Sequence, residues 1–269
     1  MTRILGINAF HADSSAALVV NGKVIAAAEE ERFNRIKHWA GFPKESIFWV
    51  LKDSNIGIEK IDHIAINSDP KANLIKKVLF SAKRFPSPKF LIDRWKNKKE
   101  RTNVKKYLKM MFPDKEIKAE INYIEHHLSH LSSAYYASDF ERSAVVSVDG
   151  FGDFSSFAYG LGEKENIEIY KQIFFPHSLG AFYTSITQFL GFPNYGDEYK
   201  VMGLAPYGKN LYEKEMQDII KIRKNNDFKL NLKYFDHASK KIPYQWKDCT
   251  PKVGNYYNNN LIRLLGQNR

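Results

Sequence analysis

The sequence has 269 residues, 43% of them hydrophobic and 14% aromatic, which is enough apolar material for a packed core and argues against global disorder. Its net charge of +11 is concentrated: residues 71–118 hold 16 Lys+Arg against 4 Asp+Glu, a surplus of 12, so the other 221 residues sum to about −1. One cysteine, Cys249, cannot form an internal disulfide, and no apolar run reaches the length of a membrane span or a signal-peptide core, so a cytoplasmic chain with no membrane partner is expected.

The first element, RILGINA, has the composition of a buried strand. SAALVV and KVIAAAEE follow as two strands joined by Asn21-Gly22, a pair suited to the positive φ angles of a tight hairpin turn. PKESIFWVLKDSNI has helical spacing with Pro43 near its start, and DHIAINS returns to strand. In the basic segment, Leu74, Val78 and Leu79, then Val104 and Leu108, alternate with lysines and predict amphipathic helices broken at Pro86-Ser87-Pro88. A solvated helical insertion explains this segment, and a polyanion-binding surface is the alternative. No nucleic-acid-reading motif is present, and no nucleic-acid partner is expected.

INYIEH is a short strand leading into a helix that begins in EHHLSH. SAVVSVDG (143–150) is another apolar strand, followed by FSSFAYGLG and ENIEIYKQIFF as a hairpin and by SLGAFYTSITQFLGF (178–192) as a helix. The openings ILGINAFHADSSAALVV and VVSVDGFGDFSSFAYGLG share one plan of strand, polar turn, hairpin and helix, about 140 residues apart. Two such halves describe an α/β protein of the duplicated actin/hexokinase-like, ribonuclease-H-like class, with halves at 1–142 and 143–269. Turns of this kind hold phosphates through backbone N–H groups, which makes Asp13 and Ser14 candidates for ligand binding. No series of strands and helices completes the second half, so the chain is expected to be an N-terminal portion. A natural fragment, a split-gene product or one partner of a two-chain enzyme would each fit.

His126 and His130 stand at i and i+4 of a helix and face the same way, close enough to share one metal ion. A polar helix end is the alternative. Asp149, at the C-terminal end of a strand expected to be buried, needs a partner, and a metal or its own following turn would each provide one. His11 follows a central strand and suits acid–base work or the bracing of its own turn. Lys37 lies in the mixed loop ERFNRIKHWAGFP, within reach of a phosphate or carbonyl oxygen, or simply solvated. GDEYKVMGLAPYG (196–208) reads as a binding loop, with Asp197 and Lys200 as its ligand-facing residues.

NAFHADSSA, EEERFNRIKHWAGFP, EHHLSH, VSVDGFGD and GDEYKVMGLAPYG, in this order over residues 4 to about 208, resemble the N-terminal part of the O-carbamoyltransferase family, which includes nodulation-factor and antibiotic carbamoyltransferases. The resemblance implies an enzyme in which a C-terminal domain makes carbamoyl adenylate from carbamoyl phosphate and ATP. An actin-like N-terminal domain then transfers the carbamoyl group to a small-molecule hydroxyl, such as that of a sugar or aminoglycoside. It also implies that His126, His130 and Asp149 ligate a divalent metal, iron foremost, with zinc and manganese also suited to this ligand set. His11 would act at the carbamoyl group, Lys37 would contact its carbamoyl or phosphate end, and Gly150, Gly152 and Asp153 would form a nucleotide-facing turn. No adenylate-forming domain is found in these 269 residues, so the isolated chain is expected to lack the complete reaction, and a separate chain would supply the rest. A non-catalytic fragment or a nucleotide- or polyanion-binding interaction module is the second reading.

Overall fold

A computed structural model describes residues 1–84, 103–225, 227–240, 242–247 and 250–266. Two compact units divide the chain, Met1–His126 with Trp246–Pro251, and His127–Gln245 with Lys252–Arg269.

The first unit is built on a five-stranded mixed sheet. Its strands β1 (Arg3–Asn8), β2 (Ser15–Val20), β3 (Lys23–Glu29), β4 (His63–Ile66) and β5 (Glu120–Tyr123) are arranged β3-β2-β1-β4-β5. β1, β2 and β3 form an antiparallel meander, and β4 and β5 continue it in parallel with β1. The β2–β3 turn has φ of 49° at Asn21 and 78° at Gly22, the left-handed pair that a two-residue hairpin requires. Thr2 N–H donates to the Asn21 side chain at 2.9 Å, which ties the chain start to this turn.

Helices α1 (Glu31–Asn34) and α2 (Lys44–Asp53) follow the meander. The α2 residues Ile47, Val50 and Leu51 join Leu5, Ile7, Leu18 and Ile64 of the sheet in one core. Glu30 is buried, and its carboxylate accepts from Ser46 N–H at 2.9 Å, Ser46 Oγ at 2.8 Å and Glu45 N–H at 3.2 Å. A carboxylate at a helix start is favoured by the exposed N–H groups and by the dipole there. The basic segment contributes α3 (Leu74–Arg84) and α4 (Val104–Met111), while the expected break at Pro86-Ser87-Pro88 lies outside the described residues, as does Cys249. Val104 and Leu108 are buried in the core, whereas Leu74, Val78 and Leu79 are about half exposed or more.

The second unit opens with α5 (His126–Tyr135), since the boundary falls after that helix's first residue. A second antiparallel meander follows, β6 (Arg142–Gly152), β7 (Ser155–Glu163) and β8 (Asn166–Phe174), in the order β6-β7-β8. Its first turn again has two residues with positive φ, Asp153 at 49° and Phe154 at 77°, between the paired Gly152 and Ser155. Helix α6 (Leu179–Phe189) packs on β6. Beyond it lie α7 (Glu198–Leu204), α8 (Glu213–Ile219), a ribbon of β9 (Ile220–Arg223) and β10 (Asp227–Leu230), the pair β11 (Tyr244–Lys247) and β12 (Thr250–Val253), and α9 (Asn259–Leu265). The structure departs from the sequence expectation in two segments. The segment 196–208, expected as a loop, is mostly α7 and a 3-10 turn at Ala205–Tyr207, and the mixed loop around Lys37 begins as α1.

Candidate metal centre

The inward face of β6 reads Val145, Ser147, Asp149, alternate residues on one side of a strand. Each meets a different level of α5. Val145 packs with Leu131 and Tyr135 in a small apolar cluster that also includes Ala158. Ser147 is buried, and its hydroxyl lies 2.9 Å from Nδ1 of His127, which has no exposed surface. Asp149 comes last, with Oδ2 3.6 Å from His130 Nε2. One donor atom from each of His126, His130 and Asp149 lies within 4.8 Å of the others.

Three donors bound at about 2.0–2.2 Å to one ion stand about 3–4 Å apart, so modest side-chain rotation brings this set to coordinating distance. Two imidazoles and one carboxylate suit a borderline divalent ion, and three ligands leave positions open. His126 is buried, whereas the His130 and Asp149 side chains are 50% and 36% exposed, which leaves one side of the centre accessible. Asp149 is thus less buried than the sequence suggested, and desolvation of a lone carboxylate is not what demands a partner. Its Oδ1 accepts from Gly150 N–H at 2.6 Å, the turn-bracing bond weighed above, while Oδ2 faces His130.

The backbone of Asp149 is fixed from the helix side. Ser178 is the N-cap of α6: its Oγ accepts from Ala181 N–H at 2.9 Å and donates to Asp149 O at 3.0 Å. Gly180 sits so close that a Cβ there would lie 2.6 Å from Gly150 N and 2.7 Å from the Asp149 carbonyl. Ser147, Ser178 and Gly180 escaped the sequence reading. A glycine in the first turn of an otherwise good helix was the one available signal for the close approach.

His11, in the β1–β2 loop, has its ring centre 6.1 Å from that of His126, the two rings edge to face. Asp13, with φ of 62°, turns instead to His38, Oδ1 to Nδ1 at 2.9 Å. His38 is the sequence neighbour of Lys37, and its place beside the Gly41 loop is the signal in the sequence that points to it. Ser14 is buried, and its hydroxyl donates to Gly41 O at 2.8 Å and His11 O at 3.1 Å, so it closes the loop on itself. Lys37 is exposed. Gly150 and Gly152 end β6 and Asp153 opens the turn after it, and a side chain at Gly150 would meet open space.

Asp197 and Lys200 stand apart as their own pair, Oδ1 to Nζ at 2.6 Å. Burial pushes the Asp197 carboxyl up, but the Lys200 ammonium and the Asn194 N–H more than offset it and hold it below the usual carboxylate range. That pair braces the start of α7.

A family model described as "Carbamoyltransferase N-terminus" matches residues 3–244. A Synechocystis sp. protein described as "Uncharacterized protein sll1178" is 35% identical over 247 residues, covering 89% of this chain and 40% of that protein. "Nodulation protein NolNO" of Sinorhizobium fredii is 37% identical over 205 residues, covering 75% of this chain and 28% of that protein. The chain thus spans well under half the length of these curated relatives. Among solved structures, YeaZ from Pseudomonas aeruginosa matches 65% of this chain and 68% of its own at 13% identity, with a TM-score of 0.35, too slight a likeness to support an argument.

Proposed function

This chain belongs to the carbamoyltransferase N-terminus family, and from that premise we propose that it carries the acceptor side of an O-carbamoyl transfer. The observation that carries the reading is the convergence of His126, His130 and Asp149 donor atoms within 4.8 Å. A divalent ion held there supplies Lewis acidity to an oxygen on which negative charge develops.

In this reading the donor is carbamoyl adenylate, made from carbamoyl phosphate and ATP by a partner domain or a separate chain. The acceptor is a small-molecule hydroxyl. His11, beside His126, takes the hydroxyl proton as the acceptor oxygen bonds to the carbamoyl carbon and the bond to the adenylate phosphate oxygen breaks. Lys37 and His38 are the cationic and polar groups nearest in sequence for orienting the departing phosphate. The turn at Gly150, Gly152 and Asp153, with open space on the Cβ side of Gly150, is the phosphate-facing turn of the second half. Orientation of the acceptor accounts for much of the acceleration expected of such a site.

The fold reading that accompanies this function is a duplicated actin-like domain. Its support is the β3-β2-β1-β4-β5 order of the first sheet and the repetition of meander, positive-φ turn and helix in the second unit.

Metal analysis after anaerobic loading with Fe(II), Zn(II) or Mn(II) tests the centre. One ion per chain is expected, with affinity falling by roughly tenfold or more in His130→Ala and Asp149→Asn. Equal metal content in the unsubstituted chain and both variants overturns the reading.

A further inference from the structure

The β9–β10 ribbon carries a charge arrangement that folding alone does not favour. Lys221 and Lys229 are direct cross-strand partners, and Arg223 follows Lys221 on the same face of β9. Like charges placed directly opposite on a sheet destabilise it. With His177 and Lys233 these side chains line a cavity of about 460 Å³ in the second unit.

Two of the four cations have a carboxylate within ion-pair distance. Asp218 lies 3.0 Å from Lys233 and 3.8 Å from Lys221, and it also accepts from the Tyr234 hydroxyl. Asp227 sits 3.9 Å from Lys171, on a different strand. Asp227 is also the direct cross-strand partner of Arg223, but neither Arg223 nor Lys229 has a carboxylate within 4.0 Å among the described residues. His177 adds a fixed donor. Its Nδ1 accepts from Leu230 N–H at 3.3 Å, which leaves the proton of the neutral ring on Nε2. Burial, followed by the nearby Lys229 charge, lowers its pKa to about 4, so the ring is neutral at physiological pH and the local field is positive.

We propose that this cleft binds a small phosphorylated molecule by its phosphate group, held by Arg223, Lys229 and the His177 Nε2–H. Two cations beyond ion-pair distance of any described carboxylate and a neutral N–H match a phosphate dianion, and the arginine fork fits its oxygens in pairs. The volume lies within the range of small-molecule sites and exceeds what phosphate alone fills. No Phe, Tyr or Trp is among the residues lining the cleft, so it lacks the broad stacking platform by which single-stranded nucleic acid is held.

Calorimetric titration with inorganic phosphate, pyrophosphate and AMP, at ionic strength fixed with sodium chloride, tests the site on the purified chain. Saturable 1:1 binding is expected, roughly tenfold or more weaker in Arg223→Gln and in Lys229→Gln. Both side chains are exposed, so circular dichroism should show the variants folded. His130→Ala should bind as the unsubstituted chain does, which separates this site from the metal centre. Equal affinity for phosphate and AMP means that the phosphate alone is recognised, and tighter AMP binding means that the nucleoside fills the remaining volume; either supports the proposal. Absence of saturable binding, or binding that both Gln variants retain, overturns it. Preference for a single-stranded oligonucleotide over AMP, with affinity falling steeply with salt, also overturns it by assigning the patch to nucleic acid.

Discussion

His127 lies between two proposed ligands in sequence, yet it is wholly buried and bonded to Ser147. Helical geometry explains the split, because His126 and His130 share one face while His127 is rotated by about 100° toward β6. Ser147→Ala removes the hydroxyl partner and should lower stability by about 1–3 kcal/mol, read as a shift in urea midpoint with unchanged slope. An unchanged midpoint would show the pair to be idle. Gly180→Ala places a Cβ against backbone, which cannot rotate away. A loss of about 1–3 kcal/mol is expected, together with weaker metal binding, because α6 can withdraw only by releasing the Asp149 carbonyl. Retention of both properties would mean that the helix start has room to give. His177 gives a pH signature. The unfolded ring takes a proton below its ordinary 6.5, which the folded protein refuses until about 4. Stability contributed by the neutral ring is therefore full above about pH 6.5 and lost as pH falls toward 4. In His177→Gln the thermal midpoint should decline less between pH 7 and pH 4.5, and a decline identical to that of the unsubstituted chain would remove His177 from the account.

At the scale of elements, the two meanders were legible because alternation and turn chemistry agree. Asn21-Gly22 marked its hairpin through the left-handed preference of both residues. Asn21→Ala keeps φ near 49° without the asparagine's tolerance for it and loses the bond from Thr2, so about 1–2 kcal/mol of stability should go. A thermal melt that shows no loss would imply that the turn has changed type. The turn at Asp153-Phe154 has the same pair of positive φ angles with no glycine at either position, so a polar turn was legible there but its type was not. Residues 196–208 misled because glycine, proline and charge suggested a loop. Asp197 instead braces the start of a helix by its ion pair with Lys200, and that contact cannot be weighed before the fold is known. The β9–β10 ribbon was missed because its strands are only four residues long, too short for their alternation to stand out.

For the whole molecule, the i, i+4 histidines and the acid nineteen residues later carried the candidate centre in the sequence, whereas the brackets around it, Ser147, Ser178 and Gly180, are long-range and left little local trace. The units each have their own core, and the metal-donor set lies on one helix and one strand. A bound ion should therefore stabilise the folded chain by mass action, about 2.7 kcal/mol at a hundredfold excess over Kd. The urea midpoint should rise with added Fe(II) or Zn(II), fall back with chelator and be insensitive to metal in His130→Ala. A metal-dependent rise of equal size in that variant would place the ion elsewhere.

The alternation of Val145, Ser147 and Asp149 along β6 has a hereditary consequence. Deleting any one residue upstream within the strand turns all three outward together, so apolar packing, buried pair and metal donor are forfeited in a single event. Point changes can be tolerated one at a time, but frame-preserving deletions here cannot, and a lineage carrying this site should vary the strand by replacement and keep its length.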